Sequence, residues 1–434
     1  MFLRPRFYLL IAPVILTLAA GAAVPVLFTV GQVLLAVLVL LVLAEAALLW
    51  QKRAITAERT LPDRFSNGDP NDVRISVESG YRFAIRCEMV DEIPFIFQRR
   101  DVSFRFTVAP VGTKTLRYQL TPTRRGVYGF GRVRVFVSTR IGLLQRRYTL
   151  CQPQDVKVYP SYLMLRQYEL LAHSQHLTEM GIKRIRRVGN NTDFEQIKDY
   201  VTGDDYRTIN WRATARRHQL MVNVYQQERS QQVFCVIDKG RMMQQAFGGM
   251  TLFDYAINAS LVLSYVAIHK EDRAGLATFS DRFETFVPAS RQPGQMQVLQ
   301  EALYAEQTQF GETDFSALIA GLAQHANRRS LLVLFTSFMS MPALRRQLSF
   351  LRQLSLRHRL LVVFFEDEEQ RQFIATPATT TEDYYQHVVA EKYAHEQRLI
   401  VSTLRQYGIL SLLTTPRQLS VSVINRYLEI KAES

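Results

Sequence analysis

Residues 231–270 read QQVFCVIDKGRMMQQAFGGMTLFDYAINASLVLSYVAIHK. From Val233 to Ile237 every side chain is apolar, and the run ends on an acid, Asp238. A strand that is apolar on both faces is covered on both faces, which is the habit of a mostly parallel sheet. Residues 251–270 then carry apolar side chains at helical spacing. The same alternation continues downstream. RAGLATFS (273–280), SLLVLFTSF (330–338), RLLVVFFED (359–367) and GILSLLTT (408–415) read as strands. Residues 295–307, 314–327, 342–358, 382–406 and 416–430 read as helices, and RFETFVP (282–288) as an antiparallel edge strand. Residues 231–434 are therefore predicted to form an α/β, Rossmann-like domain. Ligands of such sheets sit at the carboxyl ends of the strands, so Asp238 is the first candidate position.

Upstream the character changes. VRISVES (73–79), FAIRCEMV (83–90), SFRFTVAP (103–110), TLRYQLTP (115–122), GRVRVFVST (131–139) and DVKVYP (155–160) alternate apolar and polar side chains between turn signals. They predict a small antiparallel β-sandwich over 60–160. At the N-terminus, Tyr8 and Glu45 are the only ionisable side chains from Phe7 to Trp50. That run is about twice the roughly 20 residues that cross a bilayer and too long for a signal-peptide core. Gly21, Pro25 and Gly31 mark a turn, so two transmembrane helices are expected at about 7–24 and 28–49, within a hairpin of residues 1–52. Arg4 and Arg6 precede the first and Lys52, Arg53 and Arg59 follow the second. The positive-inside rule then places both ends, and the soluble bulk, in the cytoplasm.

The chain has 434 residues and a formal net charge of +14. Its basic residues are scattered as pairs such as Arg124–Arg125, Arg146–Arg147 and Arg345–Arg346. Scattered charge favours attraction to an anionic lipid bilayer over specific nucleic-acid recognition. Cys87, Cys151 and Cys235 lie far apart with no metal-ligand spacing, and Cys235 is expected to be buried and inert. His173 and His176 lack a third ligand nearby. KRIRR (183–187) reads as a solvated or membrane-facing loop.

Between the two domains lies EQIKDYVTGDDYRTINWRATARRHQLMVNVYQQE (195–228), within a linking segment of 173–230. It holds five acids and five bases around Trp211. Within it, Tyr200-x-x-Gly203-Asp204-Asp205-x-Arg207-x-Ile209-Asn210-Trp211, then Ala215-Arg216 and Leu220-Met221-Val222, resembles the signature of the domain of unknown function 58 family. Asn210 stands where the family usually has Asp. The hairpin, the sandwich with its Arg124–Tyr128 turn, and the α/β domain resemble the family layout as well. The resemblance implies no established activity; it implies a bacterial envelope or stress-related setting in the inner membrane and a MoxR-type AAA+ ATPase as partner. From the residues themselves, Gly203 is expected to turn Asp204 and Asp205 towards Arg207 and Arg216, with Trp211 packed as an anchor. A clamp between domains and a partner-binding surface both remain open for this segment.

The order of elements after it resembles a von Willebrand factor type A domain. Such domains hold Mg²⁺ through an Asp-x-Ser-x-Ser loop, a Thr in a later loop and an Asp beyond a central strand, a set of hard oxygen ligands. Here Gly240 and Met242 replace the serines, Thr313 matches the threonine, and Thr336–Ser337 stands where the second acid is expected. Asp238 and Thr313 remain as metal candidates, Lys239 and Arg241 add positive charge, and no cofactor is expected. Asp238 is expected instead to pair with a base or cap the following turn. No HExxH, GxxxxGK[ST] or GxSxG occurs. The sequence thus favours an interaction or adaptor protein. A divalent-metal hydrolase at the strand-end loops and a charge-driven nucleic-acid binder are the alternatives.

Overall fold

The computed structural model describes residues 1–22, 24–50, 55–97, 103–161, 193–202, 204, 206–226 and 230–433. His173, His176 and KRIRR lie outside the described residues. The chain divides into two compact units, Met1–Tyr159 and Pro160–Ser434.

In the first unit two apolar helices, α1 (Pro5–Ala20) and α2 (Pro25–Leu49), form a tight hairpin. Each starts with proline at its first turn, where the missing N–H costs nothing. Pro25 therefore opens the second helix instead of marking the turn, and the first helix ends earlier than its hydropathy suggests. At 25 residues α2 is about 37 Å long, enough for a hydrocarbon layer of about 30 Å. Its most apolar window is only 11% buried. A Cβ on Gly31 would stand 2.7 Å from the Leu18 side chain, so the absence of a side chain sets how closely the helices approach.

The rest of this unit is β structure. Its strands are β1 (Phe2–Leu3), β2 (Ile55–Thr60), β3 (Arg64–Ser66), β4 (Asn71–Ser79), β5 (Ile85–Asp91) and β6 (Ser103–Val108). β7 (Thr113–Leu120), β8 (Gly126–Phe130), β9 (Val133–Ser138), β10 (Leu144–Leu150) and β11 (Gln154–Tyr159) follow. They form sheets ordered β1-β10-β9-β5-β6, β2-β4-β7 and β3-β11-β8, antiparallel throughout except for the β3–β11 pair. Alternation explains the core: Val73, Ile75 and Val77 of β4 and Val133, Val135 and Val137 of β9 are all fully buried in one cluster. All six strands expected from the sequence are present.

The hairpin is bound to these sheets by polar contacts. Glu45 of α2 is fully buried. It accepts hydrogen bonds from Thr139 Oγ1 (2.5 Å) and from the backbone N–H of Gly142 (3.2 Å), Leu143 (2.9 Å) and Leu144 (3.1 Å) in the β9–β10 turn. Leu143 itself packs with Val14 and Leu38 between the two helices. At the end of α2 the Leu49 carbonyl accepts from Tyr81 (3.2 Å) and from Arg146.

In the second unit β12 (Asp193–Asp199) and β13 (Met221–Gln226) make an antiparallel ribbon, with the short helix α3 (Trp211–Arg217) between them. The larger part begins with β14 (Gln232–Asp238) and a two-residue hairpin of β15 (Ala246–Phe247) and β16 (Met250–Thr251). Then come α4 (Leu252–His269), β17 (Arg273–Phe279), β18 (Phe283–Ser290), α5 (Gln295–Ala305), α6 (Phe315–His325), β19 (Leu331–Phe335) and α7 (Met341–Arg357). β20 (Arg359–Phe365), α8 (Glu368–Ala375), α9 (Thr381–Gln406), β21 (Leu410–Thr414) and α10 (Leu419–Ala432) complete it.

The six strands lie in the order β18-β17-β14-β19-β20-β21, parallel except for the edge strand β18. β14 shows why its sequence is apolar throughout. Val233, Cys235 and Ile237 face a core shared with α4, α5 and α10, while Phe234 and Val236 face one shared with α6, α7 and α9. α4 is apolar enough to pass for a membrane span, but 72% of its most apolar window is buried in this domain, which makes it a core helix. Cys235 is buried, and burial pushes its thiol up to about 11.

Candidate functional site

β14 begins the sheet, and its neighbours β17 and β19 follow it in opposite directions across the sheet, so the crevice at its carboxyl end is the switch point. Asp238 sits there, 2% exposed. Its Oδ1 accepts from Thr313 Oγ1 (2.8 Å) and from the Gly240 N–H (2.8 Å), and its Oδ2 from Thr336 Oγ1 (2.7 Å). Asp238 therefore caps its own turn, as expected, and gathers both threonines. Of Thr336 and Ser337, which together stand where the second acid was expected, Thr336 makes this contact and Ser337 does not. In an extended strand end neighbouring side chains point to opposite faces, and the sequence does not say which hydroxyl faces inwards.

Gly240 has an ordinary φ of −74°, so its backbone does not require glycine. Space does: a Cβ there would lie 1.7 Å from Thr313 Oγ1. The threonine hydroxyl occupies the space that a serine at 240 would need. The donor set is thus one carboxylate and two hydroxyls already bonded to one another, while Gly240 and Met242 contribute no oxygen side chain. These residues do not fit an octahedral Mg²⁺. Among the described residues no group of three or more His, Cys, Asp or Glu converges to hold a metal.

Lys239 does not add free charge beside Asp238. It is 4% exposed and reaches away to Glu284 Oε2 (2.7 Å) and Glu306 Oε2 (2.8 Å). Burial pushes the Glu284 carboxyl up, but the Lys239 and Ser280 donors outweigh it and hold it below its usual range. Thr308 Oγ1 donates to the Lys239 carbonyl (2.6 Å) and the Arg241 N–H to the Gly311 carbonyl (2.8 Å). Asp314 caps α6, accepting from the Ser316 N–H at 2.8 Å. The loops are therefore tied to one another by polar contacts. Glu284 and Glu306 escaped the sequence reading because they lie 45 or more residues from Lys239, and only the sheet brings them together.

Asp204 and Trp211 of the charged segment are placed differently from the sequence expectation. Gly203 and Asp205 lie outside the described residues. Asp204 accepts from Lys198 Nζ (2.9 Å) and the Val201 N–H (3.0 Å), and these contacts hold its carboxyl below the usual range. Its partner is neither Arg207 nor Arg216. The Arg207 guanidinium stacks over the Tyr206 ring at 5.7 Å, and Arg216 is exposed in the last turn of α3, where a cation suits the helix dipole. Trp211 is 70% exposed and does not pack as an anchor. Asn210 is the fixed point instead: it caps α3 by accepting from the Ala213 N–H (3.0 Å) and donates to Asn223 Oδ1 of β13 (2.8 Å). An aspartate could make the first bond but not the second.

A family model described as "Protein of unknown function DUF58" matches residues 196–387. Over those residues the chain is similar to the DUF58 family. A curated relative, "Uncharacterized protein YeaD" of Bacillus subtilis (strain 168), is 26% identical over 125 residues, 29% of this chain and 31% of that protein. The match thus spans about a third of the relative's length. Among solved structures, the CARDB domain of the PF1109 protein from Pyrococcus furiosus, in complex with di-metal ions, covers 25% of this chain and 93% of its own at 16% identity and a TM-score of 0.19. The ASH/PapD-like domain of human CEP192 covers 26% and 92% at 12% identity, also with a TM-score of 0.19. At those scores the likeness carries no argument.

The DUF58 match takes in both the Asn210 ribbon and the Asp238 cluster and leaves out the first unit. At the cluster, burial pushes the Asp238 carboxyl above its usual range, against the pull of Thr336, Gly240 and Thr313. A raised carboxyl contributes stability below its unfolded value of about 4 and loses it as pH rises through the folded value. Asp238→Asn keeps an acceptor for Thr313 and Gly240 and cannot ionise. Its melting temperature is therefore expected to gain on the unsubstituted protein as pH rises from about 4 towards neutral. Thermal melts across that range check the sign; a gain by the unsubstituted chain would show that the cluster prefers the carboxylate.

Proposed function

We propose that this protein is a membrane-anchored interaction protein that presents a von Willebrand factor type A-like domain on the cytoplasmic side to a MoxR-type AAA+ ATPase. The observation that carries the reading is the closed strand-end cluster. Asp238 is satisfied by two threonines and a backbone amide, and Lys239 lies between Glu284 and Glu306. A pre-organised, internally satisfied end of a parallel sheet suits a rigid docking platform better than a reaction centre. The strand order and the antiparallel edge strand support the type A-like assignment. The apolar hairpin with Arg4 and Arg6 at its start supports the anchor and its orientation.

The test is co-purification of the detergent-solubilised protein from its native cells, alongside Asp204→Ala and Arg207→Ala. An AAA+ ATPase is expected with the unsubstituted protein and in lower yield with Asp204→Ala, which loses the Lys198 and Val201 contacts that hold the turn. An eluate of the unsubstituted protein without any AAA+ ATPase would sink the reading.

A further inference from the structure

Where the chain enters α1, two arginines converge on Gly142, whose N–H donates to the buried Glu45 of α2. Arg4 donates through one Nη to Ser138 Oγ (2.9 Å), and Arg6 through one Nη to the Ile141 carbonyl (3.1 Å). Both guanidinium groups lie over Gly142: from the position of a Cβ on that residue, Arg6 Nη1 is 3.4 Å away and Arg4 Nη1 3.5 Å. Gly142 has φ +76°, a left-handed conformation that favours glycine, so the turn presents bare backbone beneath both cations. Neither arginine forms an ion pair with a carboxylate among the described residues. The nearest buried acid on this turn, Glu45, is committed to Thr139 and three backbone amides.

Two guanidinium groups gathered over one turn, neither paired with a carboxylate among the described residues, can receive an anion. Each has donors left after its single bond to the protein, in the planar fork that suits phosphate oxygens. Beside Arg4 a cavity of about 220 Å³ opens on the outer face of the β9–β5–β6 sheet, lined also by Arg86 and Arg105. The one acid in its wall, Glu88, is taken by Arg105 at 3.1 Å. Around this corner Phe2, Trp50 and Ile141 are exposed, and Arg147 lies over the Phe2 ring at 5.8 Å. Exposed aromatic and apolar side chains mixed with arginines at the end of an apolar hairpin are the composition of a headgroup layer.

We propose that Arg4 and Arg6, converging over Gly142 at the base of the hairpin, bind the phosphate of one anionic glycerophospholipid. The site rests on reading α1–α2 as membrane-embedded. It explains why two like charges are placed together, and why each is anchored by a neutral oxygen instead of an acid that would compete with the ligand.

The experiment uses the full chain in detergent micelles doped with phosphatidylglycerol or phosphatidylcholine, with lipid retention read by native mass spectrometry and stability by thermal melts. Phosphatidylglycerol is expected to be retained and to raise the melting temperature; phosphatidylcholine is not. Arg4→Gln with Arg6→Gln should weaken phosphatidylglycerol binding about tenfold or more. Arg345→Gln with Arg346→Gln removes the same charge from α7 and should leave it unchanged. Equal losses in both double variants would reduce the effect to general charge and overturn the site. Equal stabilisation by inorganic phosphate or glycerol phosphate would replace the lipid by a soluble anion. If the Arg4/Arg6 variant melts early even in phosphatidylcholine, Arg6→Gln alone spares the Ser138 bond and must still lower retention. Failure of the membrane reading looks different: the unsubstituted protein would stay soluble without detergent, whereas an embedded protein indifferent to phosphatidylglycerol refutes the headgroup site alone.

Discussion

Asp91→Ala is expected to cost the first unit about 3–5 kcal/mol of stability. Arg59 on β2 and Asp91 at the end of β5 form an ion pair at 2.8 Å with side chains 1% and 0% exposed. The pair is completed by other groups: Tyr118 donates to Asp91 Oδ2 at 2.5 Å, and Arg59 reaches the Gly131 carbonyl at 3.0 Å and stacks over Phe130 at 5.1 Å. Removing the carboxylate alone leaves a desolvated guanidinium with carbonyls and a ring but no counter-charge. Replacing both partners with apolar side chains of similar volume, Arg59→Met with Asp91→Leu, is expected to cost far less, because the penalty comes from the orphaned charge. Denaturant titration of the solubilised chain separates the two cases. A loss below about 1 kcal/mol for Asp91→Ala would mean that water reaches the pair.

The second large effect is expected at Glu45. Alanine there abandons Thr139 Oγ1 and the amides of Gly142, Leu143 and Leu144 in a buried turn. Each unsatisfied buried donor costs about 1–3 kcal/mol, so local closure of the β9–β10 turn on the hairpin should weaken by about 3 kcal/mol or more. Hydrogen exchange at those three amides is the direct readout, with an acceleration of about a hundredfold or more expected. Glu45→Gln keeps one acceptor but turns its amide nitrogen towards backbone donors, so it should recover only part of the protection. Unchanged exchange in Glu45→Ala would show that apolar packing of Leu143 against Val14 and Leu38 holds the turn without the carboxylate.

These two residues mark the limits of the sequence. Glu45 was visible as the single acid in a long apolar run, a position that demands partners, yet nothing local named the β9–β10 turn about a hundred residues away. Arg59 read as one of several flanking positive charges, and Asp91 lay just beyond the expected strand 83–90 with nothing to single it out. Elsewhere, charge hid periodicity. LQRRYTL (144–150) became strand β10 although its arginine pair reads as surface, and the signature segment concealed the β12–β13 ribbon because its few apolar residues stand among ions. α8 carried a legible start, with Asp367 accepting from the Glu369 and Gln370 N–H groups, but its short apolar content gave no period.

What the sequence determined by itself is whatever depends on neighbours along the chain. The apolar run of β14 dictates a strand covered on both faces, and alternation in β4 and β9 dictates half-buried antiparallel sheets. An acid at the end of β14, where such sheets place their ligands, marked Asp238 as the first position to examine. What tertiary structure decided is which groups answer one another across 75 to 98 residues: Thr313 and Thr336 on Asp238, and Glu45 on the β9–β10 turn. Hydrogen bonds act within about 3 Å and leave no periodic trace along a chain. A buried carboxylate therefore announces in sequence that it needs donors, and only the packing of the sheets says which side chains supply them.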